Sequence, residues 1–488
     1  MNLNHINVIA RYEVKLVKRS WLFRIFAILA LLFISAIMLG YQTGIVNRMD
    51  NLWPRIAVSS LMPFCNTYFY NIAQSVIVVF LAGSFLKRDK KLDTAEVIYV
   101  RPMSNADYIV GKTWGIVKVF ITLNIITLLF TAFLNILINK SPFDLFPYLF
   151  YLLTISVPSL LFVLGLSFTA MCILKNQAVT FIVMLGIIGT VFFYLTDTLY
   201  GVFDFFGVNI PAIFSDVTGH ADLRLFLLQR FSYLLAGIGL ISMTIALVKR
   251  LPHKPWKIAV VYTFSSLFLL AACLGGLLYI LHYNHQLDLR HQYIMTFDKY
   301  ADVPHVDLLV NDISVTPQGY RLAGKSTVKV ANNNAKPLDK IIFYLNPELT
   351  VTSVEMAGKN LLFRRDHQVI EVDQPIQQQE ELTLTINYEG KISENICYTD
   401  VLTEDYLDTK VPQVFWRFGK RYAWLSNTFT LLTPECIWYP VTIAPVNPGA
   451  PYNVRKNFTD YTLTVHYEGD KTVLSQGKSK IDGSVITF

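Results

Sequence analysis

Seven stretches of the first 287 residues contain no Asp, Glu, Lys or Arg: 25–47, 56–86, 119–139, 145–174, 176–196, 231–248 and 258–287. No other feature of the sequence constrains its fold as much. A helix rising about 1.5 Å per residue needs about 20 residues to cross the roughly 30 Å apolar core of a bilayer. All seven runs reach or approach that length. Backbone N–H and C=O groups placed in lipid must be satisfied within the segment, which leaves helices as the economical solution. Over the 488-residue chain 53% of residues are hydrophobic and only 16% charged, against roughly 25% charged in ordinary globular domains. The expected class for this half is a membrane all-α helical bundle, six spans plus a seventh.

Charge is divided unevenly along the chain. Residues 1–287 hold 22 Lys and Arg against 11 Asp and Glu, and the remainder hold 20 against 24. The formal net charge of +7 would suit a nucleic-acid partner if it formed one basic face. Here the excess lies between apolar runs, so no nucleic acid is expected. With the N-terminus in the cytoplasm, 17 Lys and Arg fall on the cytoplasmic side and only Arg48, Arg55, Lys140, Arg224 and Arg230 on the other, which is the bias that sets orientation. An odd number of spans then carries everything beyond residue 287 outside. The expected location is a bacterial inner membrane, multi-pass, with the C-terminal domain periplasmic.

Residues 3–19 set Ile6, Ile9, Val14 and Val17 among basic side chains, the pattern of an amphipathic helix lying at the inner interface of the lipid. The long charged leader and the further spans argue against a cleavable signal peptide. Residues 191–207 are crowded with Phe192, Phe193, Tyr194, Tyr200, Phe203, Phe205 and Phe206. They read equally as a short outer-leaflet hairpin or re-entrant element and as an ordinary aromatic belt. No Asp, Glu, Lys, Arg or His lies in the middle of any run, and the polar groups that do, such as Asn71, Gln74 and Asn124, are neutral. Ionisable groups at that depth would mark proton relays or ion paths. Their absence argues against proton- or sodium-coupled transport and against a cation channel, so energy for transport must come from elsewhere.

The longest cytoplasmic loop, 86–112, reads LKRDKKLDTAEVIYVRPMSNADYIVGK. Asp93 is an expected N-cap with Glu96 three residues on, Val97 and Val100 share a face, and Pro102 stops the helix. A short amphipathic helix between two spans can dock into a groove on a cytoplasmic partner. The pattern of charged cluster, Thr-x-Glu, apolar pair, Pro, Ser and Gly-Lys resembles that of permease subunits of ATP-driven ABC exporters of the six-span type, matched here by Arg88, Asp89, Thr94, Glu96, Pro102, Ser104, Tyr108, Gly111 and Lys112. The resemblance covers about residues 1–250. It implies a partner-docking role for these residues together with Asp93, Val97 and Val100, a separate cytoplasmic ABC ATPase that binds the ATP, and a second permease half through homodimerisation or hetero-pairing. Membrane lipid is the remaining partner. No cofactor, metal or catalytic residue is expected in this chain.

From about residue 300 the periodicity becomes two. Leu382, Leu384, Ile386 and Tyr388 alternate with polar residues, as do Tyr461, Leu463, Val465 and Tyr467, and both runs end in Tyr-Glu-Gly. These are expected half-buried antiparallel strands. With 320–330, 340–345 and 368–372 they suggest an extracytoplasmic all-β sandwich-like domain. The series 319–322, 345–351, 382–390, 462–468 and 473–477 resembles the N-terminal β-domain of zinc aminopeptidases of the aminopeptidase N type. Catalysis in that family needs H-E-x-x-H, with two imidazoles on one metal and a Glu polarising its water. No His-Glu pair occurs anywhere in the sequence, nor the family's Gly-x-Met-Glu-Asn loop. The chain ends within the β-domain part of the likeness, so no peptidase activity is expected.

Three further signals are weaker. Residues 319–326, GYRLAGKS, match a phosphate-loop string, but strand-like residues follow where a helix should open. His282, His285 and His291 are loosely spaced near Asp288, and a helix-end position at the interface explains them better than a metal. Cys397 and Cys436 are the only cysteines beyond residue 287, and an oxidising compartment would permit a disulfide between them. The expected organisation is a permease-like domain over 1–250, a seventh span and linker over 251–299, and a β-domain over 300–488. Two rivals stay open: a membrane-anchored aminopeptidase-like protein or fragment, and an extracytoplasmic binding module on a helical anchor.

Overall fold

The computed structural model describes residues 2–42, 60–83, 103–138, 143–196, 198–207, 210, 214–215, 219–220, 222–248, 255–401, 421–446, 458–469 and 471–488, without the side chains of 41 and 42. The described residues form two units, one up to Tyr283 and one from Asn284.

The first unit is helical. Its elements are α1 (Leu3–Arg19), α2 (Trp21–Gln42), α3 (Leu61–Gly83), α4 (Asn105–Ile138), α5 (Phe146–Leu174), α6 (Gln177–Leu195), α7 (Leu223–Leu247) and the part up to Tyr283 of α8 (Pro255–Tyr300). A two-residue ladder pairs β1 (Phe214–Ser215) with β2 (Gly219–His220). Seven of the helices are long and apolar enough to cross a membrane. Two of these start well before the charge-free runs. Helix α4 begins at Asn105 and so takes in Asp107, Lys112 and Lys118, and α7 begins at Leu223 and takes in Arg224 and Arg230. The expectation of spans without ionisable groups therefore holds for the runs but not for the helices. Apolarity ends where the charges begin, whereas a helix continues for as long as its backbone ladder does.

The bundle buries one stripe of each outer helix. In α2 that stripe is Phe23, Phe26, Ala30, Ile34 and Met38, at spacings of three and four, while Ile28, Leu29, Leu32 and Phe33 face outward. Helices α5 and α7 approach at their glycines. A Cβ on Gly165 would lie 2.8 Å from the Gly237 carbonyl oxygen, and one on Gly237 would lie 2.7 Å from backbone atoms of Leu161 and Phe162. Backbone cannot yield as a flexible side-chain tip can, so this contact requires small residues. Gly237→Val should destabilise the protein by about 1–3 kcal/mol or more through overpacking. Gly186→Val in α6, where nothing lies within 4 Å, should not. Thermal unfolding in detergent checks the contrast, and equal melting of the two variants would refute the packing account.

The second unit combines the end of α8, from Asn284, with two main sheets. The larger sheet has eight strands: β3 (Asp307–Gln318), β4 (Arg321–Ala331), β6 (Leu349–Met356), β7 (Lys359–Asn360), β10 (Glu381–Gly390), β13 (Asp460–His466), β14 (Lys480–Asp482) and β15 (Val485–Thr487). Their order is β14-β15-β13-β3-β4-β10-β6-β7. The smaller sheet has the order β5-β9-β8, with β5 (Ile341–Tyr344), β8 (Phe363–Asp366) and β9 (Val369–Val372). A separate hairpin pairs β11 (Ala423–Leu425) with β12 (Thr430–Leu432).

Side chains from both main sheets share one core, with Val328, Leu384, Ile386 and Leu463 from the larger and Ile341, Phe343, Ile370 and Val372 from the smaller. Two features depart from the expected all-antiparallel sandwich. Strand β13 runs parallel to β3. The outer face of the small sheet (Ile342, Tyr344, Val369) is covered by Tyr293 and Tyr300 of α8 and by Ile396. A strand buried on both faces needs no polar alternation, which explains the unbroken apolar run of β5.

Polar groups hold the end of α8 to this sheet. Lys299 Nζ lies 2.5 Å from Asp366 Oδ2 and Lys340 Nζ 3.0 Å from Glu371 Oε2. The Tyr300 hydroxyl donates to both carboxylates. The Lys299 ammonium holds Asp366 below its ordinary range, and the Tyr300 hydroxyl does the same for Glu371. Because both carboxyls are depressed, their stabilisation is fully present above their ordinary values of 3.8 and 4.5 and is lost as pH falls through the lowered folded-state values. Amide-exchange protection over 293–300, corrected for intrinsic rates, should stay level from neutral pH down to that range and then drop. The Asp366→Asn/Glu371→Gln variant should start lower and lose this acid step, and a variant that tracked the wild type would disprove the linkage.

Candidate functional site

The start of α4 is where the chain leaves the expected docking loop. Of its assigned residues, Arg88, Asp89, Asp93, Thr94, Glu96, Val97, Val100 and Pro102 lie outside the described residues. Ser104, Tyr108, Gly111 and Lys112 are described. Ser104 caps α4: its hydroxyl accepts from Asp107 N at 3.0 Å, and Asp107 Oδ2 accepts from Ser104 N at 3.2 Å. This reciprocal pair satisfies donors that a helix start leaves open. The other carboxylate oxygen of Asp107 accepts from Asn2 N at 2.8 Å, which ties the beginning of α1 to the same turn.

Helix α1 lies along α4. Its buried stripe is Ile6, Ala10, Glu13 and Val17. A Cβ on Gly111 would sit 2.8 Å from Ile9 Cβ, and one on Gly115 2.9 Å from the Ala10 carbonyl oxygen, so both glycines admit α1 at close range. Lys112 Nζ is 3.6 Å from Glu13 Oε2, with both side chains about 95% or more buried, and the same ammonium lies 5.0 Å from the centre of the Tyr108 ring. Tyr108, Gly111 and Lys112 thus face α1, within the chain. Asn105 Nδ2 donates to the Val248 carbonyl at 2.7 Å, joining the end of α7 to the start of α4. Sequence reading passed over Asn105 and Asp107. The Ser-x-x-Asp spacing was the available signal for Asp107, but nothing local pointed to Val248.

This arrangement is a joint: the start of α1, the start of α4 and the end of α7 are held together by hydrogen bonds and a buried ion pair. Removing one partner of a buried ion pair costs about 3–5 kcal/mol because the other charge is left uncompensated. Lys112→Met alone should therefore lower stability by about 3 kcal/mol. Lys112→Met with Glu13→Leu should recover most of that loss, as read from a detergent unfolding series. Additive losses in the double variant would show that the pair does not hold the joint.

A second polar cluster lies within the helical unit. Arg230 of α7 is fully buried: Nη2 donates to the Asp204 carbonyl at 2.7 Å, Nη1 to the Phe205 carbonyl at 3.2 Å and Ser159 Oγ at 3.4 Å, and Nε to Gln229 Oε1 at 2.6 Å. Gln229 Nε2 donates to the carbonyls of Gly201 and Asp204, both at 3.0 Å. The Asp204 carboxylate accepts from the backbone N–H groups of Phe206 and Gly207 at 3.0 and 3.1 Å. Asn71 Nδ2 reaches the Phe206 carbonyl at 2.7 Å and Ser159 Oγ at 3.0 Å. The aromatic segment is thus an irregular turn after α6, with Leu199 and Tyr200 at positive φ, pinned from α3, α5 and α7. The guanidinium is occupied by groups of its own chain, which makes it a brace and not an anion receptor.

In the second unit, residues 319–326 form the β3–β4 turn and the first part of β4, and Lys325 and Ser326 pair with strands on both sides. No group of three His, Cys, Asp or Glu placed to hold a metal occurs among the described residues. Cys397 and Cys436 come together, with 3.4 Å between sulfurs and both side chains buried.

Neither a family model nor a curated protein matches the sequence. Among solved structures, the chain is similar to the M1 zinc metallopeptidase from Deinococcus radiodurans at 16% identity, over 38% of each chain, with a TM-score of 0.25. It is similar to a mutant two-domain M1 zinc metallopeptidase bound to L-tryptophan at 18% identity, over 38% of each chain, with a TM-score of 0.25. It is also similar to native leukotriene A4 hydrolase from Saccharomyces cerevisiae at 10% identity, over 38% of this chain and 26% of that one, with a TM-score of 0.23. The chain spans 38% or less of the length of these structures. At these scores the likeness says nothing about activity.

Proposed function

We propose that this chain is a membrane-spanning permease of an ATP-driven ABC exporter, powered by a separate cytoplasmic ATPase and presenting a non-catalytic β-domain outside the cytoplasm. The observation that carries the reading is the joint at the start of α4. The chain coming from the charged loop is fixed at once to α1, α4 and α7, which is what a loop needs if closure of an ATPase beneath it is to tilt helices. The division of 17 cations against five supports a loop facing the cytoplasm. The outward faces of the helices, including Leu129, Phe133, Ile136, Leu137, Ile182 and Phe193, offer lipid the kind of surface that water disfavours. A translocation path of about twelve spans would need a second copy or a related permease.

The test is a detergent pull-down of the tagged chain with ATP hydrolysis measured on the eluate. The wild type should bring down an ABC ATPase and its activity, and the Glu96→Arg/Pro102→Ala variant should lose both while keeping wild-type yield. Recovery of the chain without an ATPase would sink the permease reading and turn attention to the β-unit as an anchored module.

A further inference from the structure

Two turns of the second unit bring Cys397 and Cys436 together. Cys397 follows the short turn Glu394–Ile396, and Cys436 closes the turn Pro434–Cys436. Neither backbone is free to drift. Arg290 of α8 donates through Nη1 to the carbonyls of Asn395 at 3.1 Å and Cys397 at 2.7 Å, and through Nη2 to those of Tyr398 and Val401, both at 3.0 Å. Asn346 Nδ2 donates to the Cys436 carbonyl at 2.8 Å and to the Ser393 carbonyl at 2.9 Å, while its Oδ1 accepts from Ser393 N at 3.0 Å. One asparagine therefore holds both turns, and one arginine holds the first of them. The sulfurs left facing each other are 3.4 Å apart, about 1.4 Å more than a covalent S–S bond, and a small side-chain adjustment covers that gap.

We propose that Cys397 and Cys436 form a structural disulfide. The bond rests on the reading above, in that the β-unit must meet an oxidising compartment. Two S–H bonds break and one S–S bond forms. The two protons and two electrons pass to a disulfide of a thiol oxidase, which leaves as a dithiol after a mixed-disulfide intermediate. The neighbouring Cys397 sulfur, and burial after it, push the Cys436 thiol far up, and both sulfurs are shielded from solvent once the unit has folded. Oxidation therefore accompanies folding, and the bond is a staple and not a reversible switch.

The remaining cysteines, Cys65, Cys172 and Cys273, lie in the other unit and serve as an internal count. The full chain, taken from membranes by acid quench, is denatured and alkylated with N-ethylmaleimide before and after reduction, and its mass is measured. The expected result is three adducts before reduction and five after it, with a non-reduced peptide linking Cys397 to Cys436. Five adducts before reduction would overturn the proposal. Cys397→Ser is expected to lower the melting temperature by about 5–15 °C, but the mass count decides the question even if that variant folds poorly. In parallel, Leu474→Cys in a Cys397→Ala/Cys436→Ala background is exposed to a membrane-impermeant maleimide on spheroplasts, since Leu474 is 88% exposed. Labelling there together with a reduced natural pair would defeat the disulfide and leave the orientation standing. No labelling together with a reduced pair would show that the orientation itself had failed.

Discussion

The helical unit depends on the way one guanidinium is satisfied. Arg230 is fully buried, and a buried unpaired charge is among the most expensive groups a fold can hold. Its donors end on carbonyls of Asp204 and Phe205 and on side chains of Ser159 and Gln229. Those carbonyls belong to an irregular turn that makes no regular ladder of its own. Without Arg230, Gln229 and Asn71, that turn would leave backbone oxygens unpaired in an apolar setting, which is the condition that confines such structures to helices or to protein-lined interiors. Charge and turn therefore solve each other's problem. The turn is further held by the hydroxyls of Tyr233 and Tyr279, which donate to the carbonyls of Val202 and Tyr200 at 2.7 and 2.9 Å.

A different kind of constraint governs the start of α4. There the problem is geometric, because two helix starts and a helix end must be held in one place. Small residues at 111 and 115 admit α1 against α4, a buried ion pair fixes its rotation, and Asn105 ties in the end of α7. Close packing transmits displacement with little loss, since dense interiors shift between discrete arrangements and do not deform continuously. Part of the set that resembled a docking motif thus lies inside the helical unit: Gly111 and Lys112 pack against α1, and the Lys112 ammonium lies over the Tyr108 ring.

What could be read from the residues follows from the range of the interactions involved. Seven apolar runs announced seven long helices because length and hydropathy are local, whereas of the residues read as the apolar face of α1 only Ile6 and Val17 belong to its buried stripe, which also takes in Ala10 and Glu13. Alternation at Leu384, Ile386 and Tyr388 marked β10 correctly, as these side chains are buried. Helix starts were misplaced by 14 residues at α4 and eight at α7 when set against the charge-free runs, because charge measures compatibility with lipid and not continuation of a helix. The parallel pairing of β13 with β3 joins residues about 150 apart, and no periodicity encodes a partner. Arg230 illustrates the same limit. In the sequence it is a cation beside an apolar run, and only the folded chain supplies the four oxygens around it, two of them backbone carbonyls of residues 204 and 205 and two on the side chains of Ser159 and Gln229.

Helix α8 shows how one element changes its physical task along its length. Up to Tyr283 it presents apolar residues on several sides, including Leu267, Leu270, Leu274, Leu277 and Leu281. From Asn284 the apolar surface narrows to a face with Tyr293, Phe297 and Tyr300, spaced four and three residues apart, that packs on the small sheet. Gln368 Nε2 donates to the Tyr293 carbonyl at 2.7 Å, so even the helix backbone is engaged from the sheet side. Strands β5 and β9 carry apolar residues on both faces, and the second face is covered by this stretch of helix together with Ile396, Ile437 and Ala444. The last turns of α8 are therefore a layer of the second unit in their own right. A second unit without this stretch of helix would lose the cover that Tyr293, Phe297 and Tyr300 give to Ile342, Tyr344 and Val369, and would present part of an apolar patch to water.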